Sequence, residues 1–197
     1  MMKRGFTVYF ARHGQTTWNA IRRIQGQINS ELSERGQQQA SAYATLLRPV
    51  IGEGTGYRFV ASPLNRTVAT MRLLREGLGL EPDAFERDDL LKEIHFGTWE
   101  GSMWGEVETK FPEAFAARAA DPYGWAPEGG ESYALLYDRI ARWADTIDRD
   151  TVVVSHGGVS RVLRQHWLGL SPAEITELKV PQDKIMVFRD GAMTWLG

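Results

Sequence analysis

The 197-residue chain contains no cysteine. That absence excludes a disulfide framework, an iron–sulfur cluster, a thiolate zinc site, a redox CxxC pair and a cysteine nucleophile. Histidine is scarce, with only His13, His95, His156 and His166 able to titrate near neutral pH without special surroundings. Lysine is scarce too, so arginine supplies 18 of the 23 basic residues. Neither sign of charge dominates: 25 acidic residues bring the formal net to −2. That balance is no electrostatic footprint for nucleic acid or an anionic membrane. Nor does any window approach the roughly 18 apolar residues of a membrane-spanning helix. The start, Met1-Met2-Lys3-Arg4 before an apolar run, superficially resembles a signal peptide. The run is only about seven residues long and meets Arg12-His13 with no small-residue cleavage site. It reads better as a first strand, and the chain as cytoplasmic.

What is present is a globular composition, 43% hydrophobic and 24% charged, at a length that suits one domain spanning residues 1–197. Short apolar β-prone runs occur at Phe6 to Ala11, Tyr57 to Ala61 and Thr151 to Ser155. Continuous rather than alternating runs suit strands buried on both faces. Helical stripes lie between them. Ser33 caps one, with Ala40, Tyr43, Ala44 and Leu47 on a single face and Gly52 at its end. Thr67, Met71, Leu74 and Leu78 form the next, closed by Gly79. Leu136, Ile140, Trp143 and Ile147 form a third, running into the Val152 strand, and Val159, Val162 and Leu163 open a fourth. Lys184 to Arg189 and Ala192 to Leu196 flank Asp190-Gly191 as a closing hairpin. The predicted fold is α/β, a three-layer α/β/α sandwich around a mostly parallel sheet. One stretch, about residues 98–130, breaks the pattern and reads as a short lid-like insertion.

Ligands of open α/β sheets bind at the carboxyl ends of the strands. Polar clusters fall there: Arg12-His13-Gly14 through Asn19, Ser62-Pro63-Leu64-Asn65-Arg66-Thr67, and Ser155-His156-Gly157-Gly158. A fourth, Leu91 to Gly97, follows an extended segment at Leu90. A lone strand-end histidine is more often structural than chemical. Arg66 is harder to dismiss, because the macrodipole disfavours a cation at a helix start and a bound anion would remove the penalty. Two arginines and two histidines on one sheet edge suit a phosphoryl group.

These blocks resemble the histidine phosphatase superfamily, in its phosphoglycerate mutase-like branch. The likeness runs in family order through Arg12-His13-Gly14, Thr16, Trp18-Asn19, Gln25-Gly26, Leu32-Ser33, Gly36, Ser62-Pro63-Leu64 and Arg66-Thr67. It continues through Glu93, Phe96-Gly97, Trp99-Glu100-Gly101, Pro127 to Ser132 and Ser155 to Gly158. The resemblance implies His13 as nucleophile, with Arg12, Arg66 and His156 holding phosphoryl oxygens and Glu93 serving as general acid, then base. Asn19, Gln25, Gly26 and Gly157 are implied substrate contacts, Gly157 by letting backbone come close. No metal and no cofactor are implied. His95 is a weaker pocket candidate, two residues beyond Glu93, and His166 reads as structural. Trp18, Trp99 and Trp104 read as packing residues, as do Phe111, Phe115, Tyr123 and Trp125.

The implied reaction is hydrolysis of a small phosphate ester through a phosphohistidine. Nothing after Gly101 resembles the Glu-Arg-x-Tyr-Gly-like segment of the cofactor-dependent mutases, and Thr16 stands where they tend to carry serine. The pattern instead resembles the small phosphatases of the family, of the alpha-ribazole phosphatase and fructose-2,6-bisphosphatase-like types. Mutase transfer, a non-catalytic phospho-ligand module and a metal-dependent hydrolase stay open as alternatives. So does a homodimer. Asn29, Glu31 and Thr67 depart from the residues common in the family.

Overall fold

Three consecutive valines leave β4 (Thr151–Ser155) without a polar face, and every residue of the strand is buried. In the computed structural model, which describes residues 5–197, β4 lies at the centre of a six-stranded sheet. The basic start Met1 to Arg4 lies outside the described residues. The order is β3-β2-β4-β1-β5-β6, with β1 (Thr7–Arg12), β2 (Arg58–Ala61) and β3 (Glu86–Arg87) parallel to β4. The hairpin β5 (Ile185–Arg189) and β6 (Ala192–Leu196) adds an antiparallel edge beside β1.

Side-chain alternation along the central strands divides the interior into two cores. Tyr9, Ala11, Val152 and Val154 face Tyr43 and Leu47 of α2 (Glu34–Ile51) and Met71 and Leu74 of α3 (Asn65–Leu78). Val8, Phe10 and Val153 face Leu136 and Ile140 of α6 (Tyr133–Ala144) and Val162 and Leu163 of α7 (Gly157–Leu168). The three layers are those the sequence predicts. Both predicted glycine stops are present, Gly52 after α2 and Gly79, left-handed, after α3. The third stripe needs trimming. The α6 helix ends at Ala144, and Ile147 reaches the core from the turn beyond it.

Residues 98–130 form turns and the short helices α4 (Val107–Lys110) and α5 (Pro112–Ala120). Trp99 is their buried centre, with Trp125 at 4.9 Å and Phe111 at 6.3 Å between ring centroids. Tyr123 turns instead toward the α6–α7 core, where its hydroxyl meets Gln165. These aromatics pack the segment, as their positions suggest. Among the described residues no helix is long and apolar enough to cross a membrane.

One close approach joins the fold to the loop after β1. The first turn of α2 passes so near that loop that a Cβ on Gly36 would land on the carbonyl of Gln15, and one on Gly14 on the carbonyl of Gly36. Gly36→Ala should gain about 1 kcal/mol of helix propensity. Because neither backbone can yield cheaply, the overlap should cost more, a net loss of about 1–3 kcal/mol. A thermal midpoint lowered by roughly 2–10 °C is the expected result in a melting experiment, and an unchanged or raised midpoint would contradict this packing.

Candidate active site

Parallel register brings three strand ends to one level. Arg12 lies opposite Ser155, and Ala61 opposite Val154. The next residues continue the ladder, His13 N donating to Ser155 O at 2.9 Å and Ser62 N to Val154 O at 3.1 Å. Arg12, His13, Ser62 and His156 thereby leave the sheet together. The α1 turn (Thr17–Ala20) and the first turn of α3 complete a pocket of about 130 Å³, lined by Arg12, His13, Asn19, Gln25, Arg66 and Glu93 among others.

A backbone carbonyl assigns the proton of one imidazole. His13 Nδ1 is 2.8 Å from the carbonyl of Gly14, an acceptor only, so Nδ1 carries the proton and Nε2 the lone pair. His156 Nε2 is 2.8 Å from the hydroxyl of Ser62, whose oxygen already accepts Leu64 N. His156 Nδ1 is buried without a partner. The rings stand 5.2 Å apart. Burial drives both pKa values well below 6.5, and the charges of Arg66 and Arg12 push in the same direction. Both rings are neutral at pH 7.

The two guanidiniums are held by carbonyls rather than carboxylates. Arg12 Nη1 donates to Val180 O at 2.8 Å, while Arg66 donates to Gly26 O at 2.6 Å and Ile28 O at 3.0 Å. Neither joins an ion pair among the described residues, and each Nε is buried without an acceptor. Burial lowers the pKa of Arg66 to about 10, with Glu93 opposing, and it lowers that of Arg12 as well. Both stay charged at pH 7. The α3 start that carries Arg66 is capped from outside, Asn29 Oδ1 accepting Asn65 N, so one departure from the family pattern has a structural task. Thr67 has another, its hydroxyl donating to Ser62 O and Leu64 O.

Glu93 reaches the site from a different layer. The sequence predicts an extended segment at Leu90; the chain instead makes a 3-10 turn at Asp89–Leu91 after the two-residue β3, capped by Asp88. The carboxylate of Glu93 accepts Gly158 N at 3.0 Å and Ile94 N at 3.0 Å. Here glycine is required, because a Cβ on Gly158 would occupy the place of Glu93 Oε1. At its neighbour Gly157 a Cβ would make ordinary contact, 3.7 Å from Arg12. Arg139 of α6 holds the segment, donating to the carbonyls of Leu90, Lys92 and Glu93 while paired with Glu131 at 2.8 Å.

Asn19, Gln25 and Gly26 all line the pocket. Asn19 Oδ1 accepts Thr16 N, and Gln25 accepts the hydroxyl of Thr16. His95 faces away, accepting Gly97 N, and His166 pairs with Tyr137. Trp99 packs as predicted, whereas Trp104, 40% exposed, lines the pocket with Phe96. Sequence reasoning missed Arg23 as a lining residue and Arg139 as a clamp. Arg139 left one signal, its place two helical turns beyond Glu131 on the stripe that buries Leu136 and Ile140.

A family model, the histidine phosphatase superfamily (branch 1), matches residues 8–195. The chain belongs to this superfamily. Among curated members, the glucosyl-3-phosphoglycerate phosphatase of Mycobacterium tuberculosis is 37% identical over 175 residues, covering 82% of this chain and 75% of that protein. The metal-independent phosphoserine phosphatase of Arabidopsis thaliana is 37% identical over 166 residues, 79% of this chain and 66% of its own. Among solved structures, the alpha-ribazole phosphatase of Shigella flexneri superposes with a TM-score of 0.83 over 96% of this chain and 94% of its own. At 23% identity that likeness speaks for the fold alone.

The depressed imidazoles make a prediction for this histidine phosphatase. Their folded-state values lie below 6.5, so the unfolded chain binds more protons and stability falls as pH drops through about 6.5. Two protons correspond to a limiting slope of about 2.7 kcal/mol per pH unit. His166, lowered by burial, adds to it. Denaturant unfolding between pH 7.5 and 5.5 should show the decline, and the paired variant His13→Asn/His156→Asn should flatten it. A flat wild-type profile would contradict neutral buried rings.

Proposed function

We propose that the chain is a phosphomonoester hydrolase that works through a phosphohistidine on His13, needing no metal ion. One observation carries the reading. Beside an imidazole whose Nε2 bears a lone pair lie three buried nitrogens without partners: the donors Arg12 Nε and Arg66 Nε, and His156 Nδ1. Donors left unpaired in a folded chain are costly. Each is satisfied by an oxygen of a phosphoryl group, where transition-state charge collects.

The steps follow. His13 Nε2 attacks phosphorus in line and the ester P–O bond breaks. The new N–P bond leaves the ring positively charged, and its Nδ1–H stays bonded to Gly14 O, which stabilises that charge. Glu93 gives its proton to the departing alkoxide. The resulting carboxylate takes a proton from water, whose oxygen attacks phosphorus, breaks the N–P bond and releases inorganic phosphate. Free His13 and protonated Glu93 are restored. Asn19 and the backbone at Gly26 and Gly157 complete the phosphoryl site.

Small phosphorylated metabolites are the substrate class, which the names of the relatives support. The pocket, about 130 Å³ against about 30 Å³ for one water, admits a phosphoryl group and the first atoms of its alcohol. A single domain, a cytoplasmic location and the option of a homodimer belong to the same reading.

A phosphate-release assay over phosphoglycerates, phosphoserine and sugar phosphates, with EDTA present, tests it. Activity should survive EDTA and vanish in His13→Ala, while Glu93→Gln lowers kcat by about 10²–10⁴. Loss of activity in EDTA would favour a metal hydrolase. Phosphate moving between glycerate positions without release would favour a mutase, and binding without turnover a non-catalytic module.

A further inference from the structure

The pocket holds one more cation than phosphate chemistry uses. Arg23 lines it beside Ile24, Phe96 and Trp104, and its Nε is buried with no hydrogen-bond partner. It enters no ion pair among the described residues. The carboxylate that most clearly feels its charge, Glu106, is bonded to Lys110 at 2.7 Å and to Met103 N.

Its direction is set from both sides. The α1 turn ends with Arg22 in the left-handed region, φ 57°, while Arg23 N donates to Trp18 O and Arg22 N to Asn19 O. These are the two bonds of a Schellman stop, which fixes the residue that follows it. Arg23 then bridges Met103, and its guanidinium lies 5.1 Å from the centroid of the Trp18 ring. The side chain is aimed and supported, yet its fork is unmatched.

We infer that Arg23 receives a carboxylate on the alcohol half of the substrate, so that the preferred esters are phosphorylated hydroxy acids. The inference rests on the phosphomonoesterase reading and narrows its substrate class. The arginines of the lining support it. They are Arg12, Arg66 and Arg23, and the phosphoryl site uses the first two. A phosphoryl group brings close to two negative charges at pH 7. One guanidinium is left, whose planar fork a carboxylate matches. A neutral sugar would leave that fork without a charged partner. The small pocket places the carboxylate a few bonds from the ester oxygen.

Calorimetric titration of the His13→Ala chain separates binding from turnover. The probes are 3-phosphoglycerate and glycerol 3-phosphate, which differ only in carboxylate against hydroxymethyl. The carboxylate ester should bind at least tenfold more tightly, the value of one charge-assisted hydrogen bond. Adding Arg23→Gln should bring the two affinities to within about twofold, and Arg23→Lys should give an intermediate ratio if the glutamine variant fails to fold. Equal affinities with Arg23 in place, a preference that survives its removal, or tighter binding of fructose 1,6-bisphosphate would each overturn the proposal. Selective binding by the His13→Ala chain, with no hydrolysis by the unaltered one, would overturn the phosphatase reading and leave this one standing.

Discussion

Positive charge buried without a carboxylate partner is the constraint on which the site depends. Arg12 and Arg66 sit where the parallel strands end, and carbonyls of Val180, Gly26 and Ile28 absorb part of their hydrogen-bonding capacity. Carbonyls satisfy donors without cancelling charge. Burying a charge is unfavourable unless it is paired, so the folded chain carries an electrostatic deficit that only an anion removes. Burial above all, with the same field behind it, keeps both imidazoles neutral.

Such a deficit requires a rigid frame, and both cores supply it. The α2–α3 layer locks onto the loop after β1 through the contact of Gly14 with Gly36, and Tyr43 of α2 donates to the carbonyl of Arg12 at 2.8 Å. From the opposite layer, α6 sends Arg139 to three carbonyls around Glu93, and α7 presents the Gly158 amide to its carboxylate. The Ser155 hydroxyl ties the sheet to Leu91 at 2.8 Å. Glu93 and His13, the proposed acid and nucleophile, are therefore held in relation by the sheet and both layers. Small residues stand where two backbones, or a backbone and a carboxylate, must meet.

Much of this was legible before any coordinates. Apolar runs marked β1, β2 and β4, and helical stripes marked α2, α3, α6 and α7, because burial on one or two faces imposes a period on the chain. The motif blocks marked His13, Arg66, Glu93 and His156. Errors arose where no period exists. At Leu90 the sequence predicts an extended segment where the chain makes a 3-10 turn, since three residues are too few to show a repeat. At α6 the stripe continued through Ile147 because a turn residue can reach the core as well as a helical one. The sequence offers no role for Arg23 and only packing for Trp104, because an aromatic or cationic side chain in a turn declares no direction.

The sequence by itself determined the layers, the strand ends that bear chemistry and the family, since these depend on residue type, local periodicity and motif order. Tertiary structure alone decided the pairing of distant groups. It set the Gly158 amide against the Glu93 carboxylate, paired His156 with Ser62, and left Arg23 facing the pocket without a partner. Those outcomes depend on distances of about 3 Å between residues up to 94 positions apart in the chain, which no local pattern encodes.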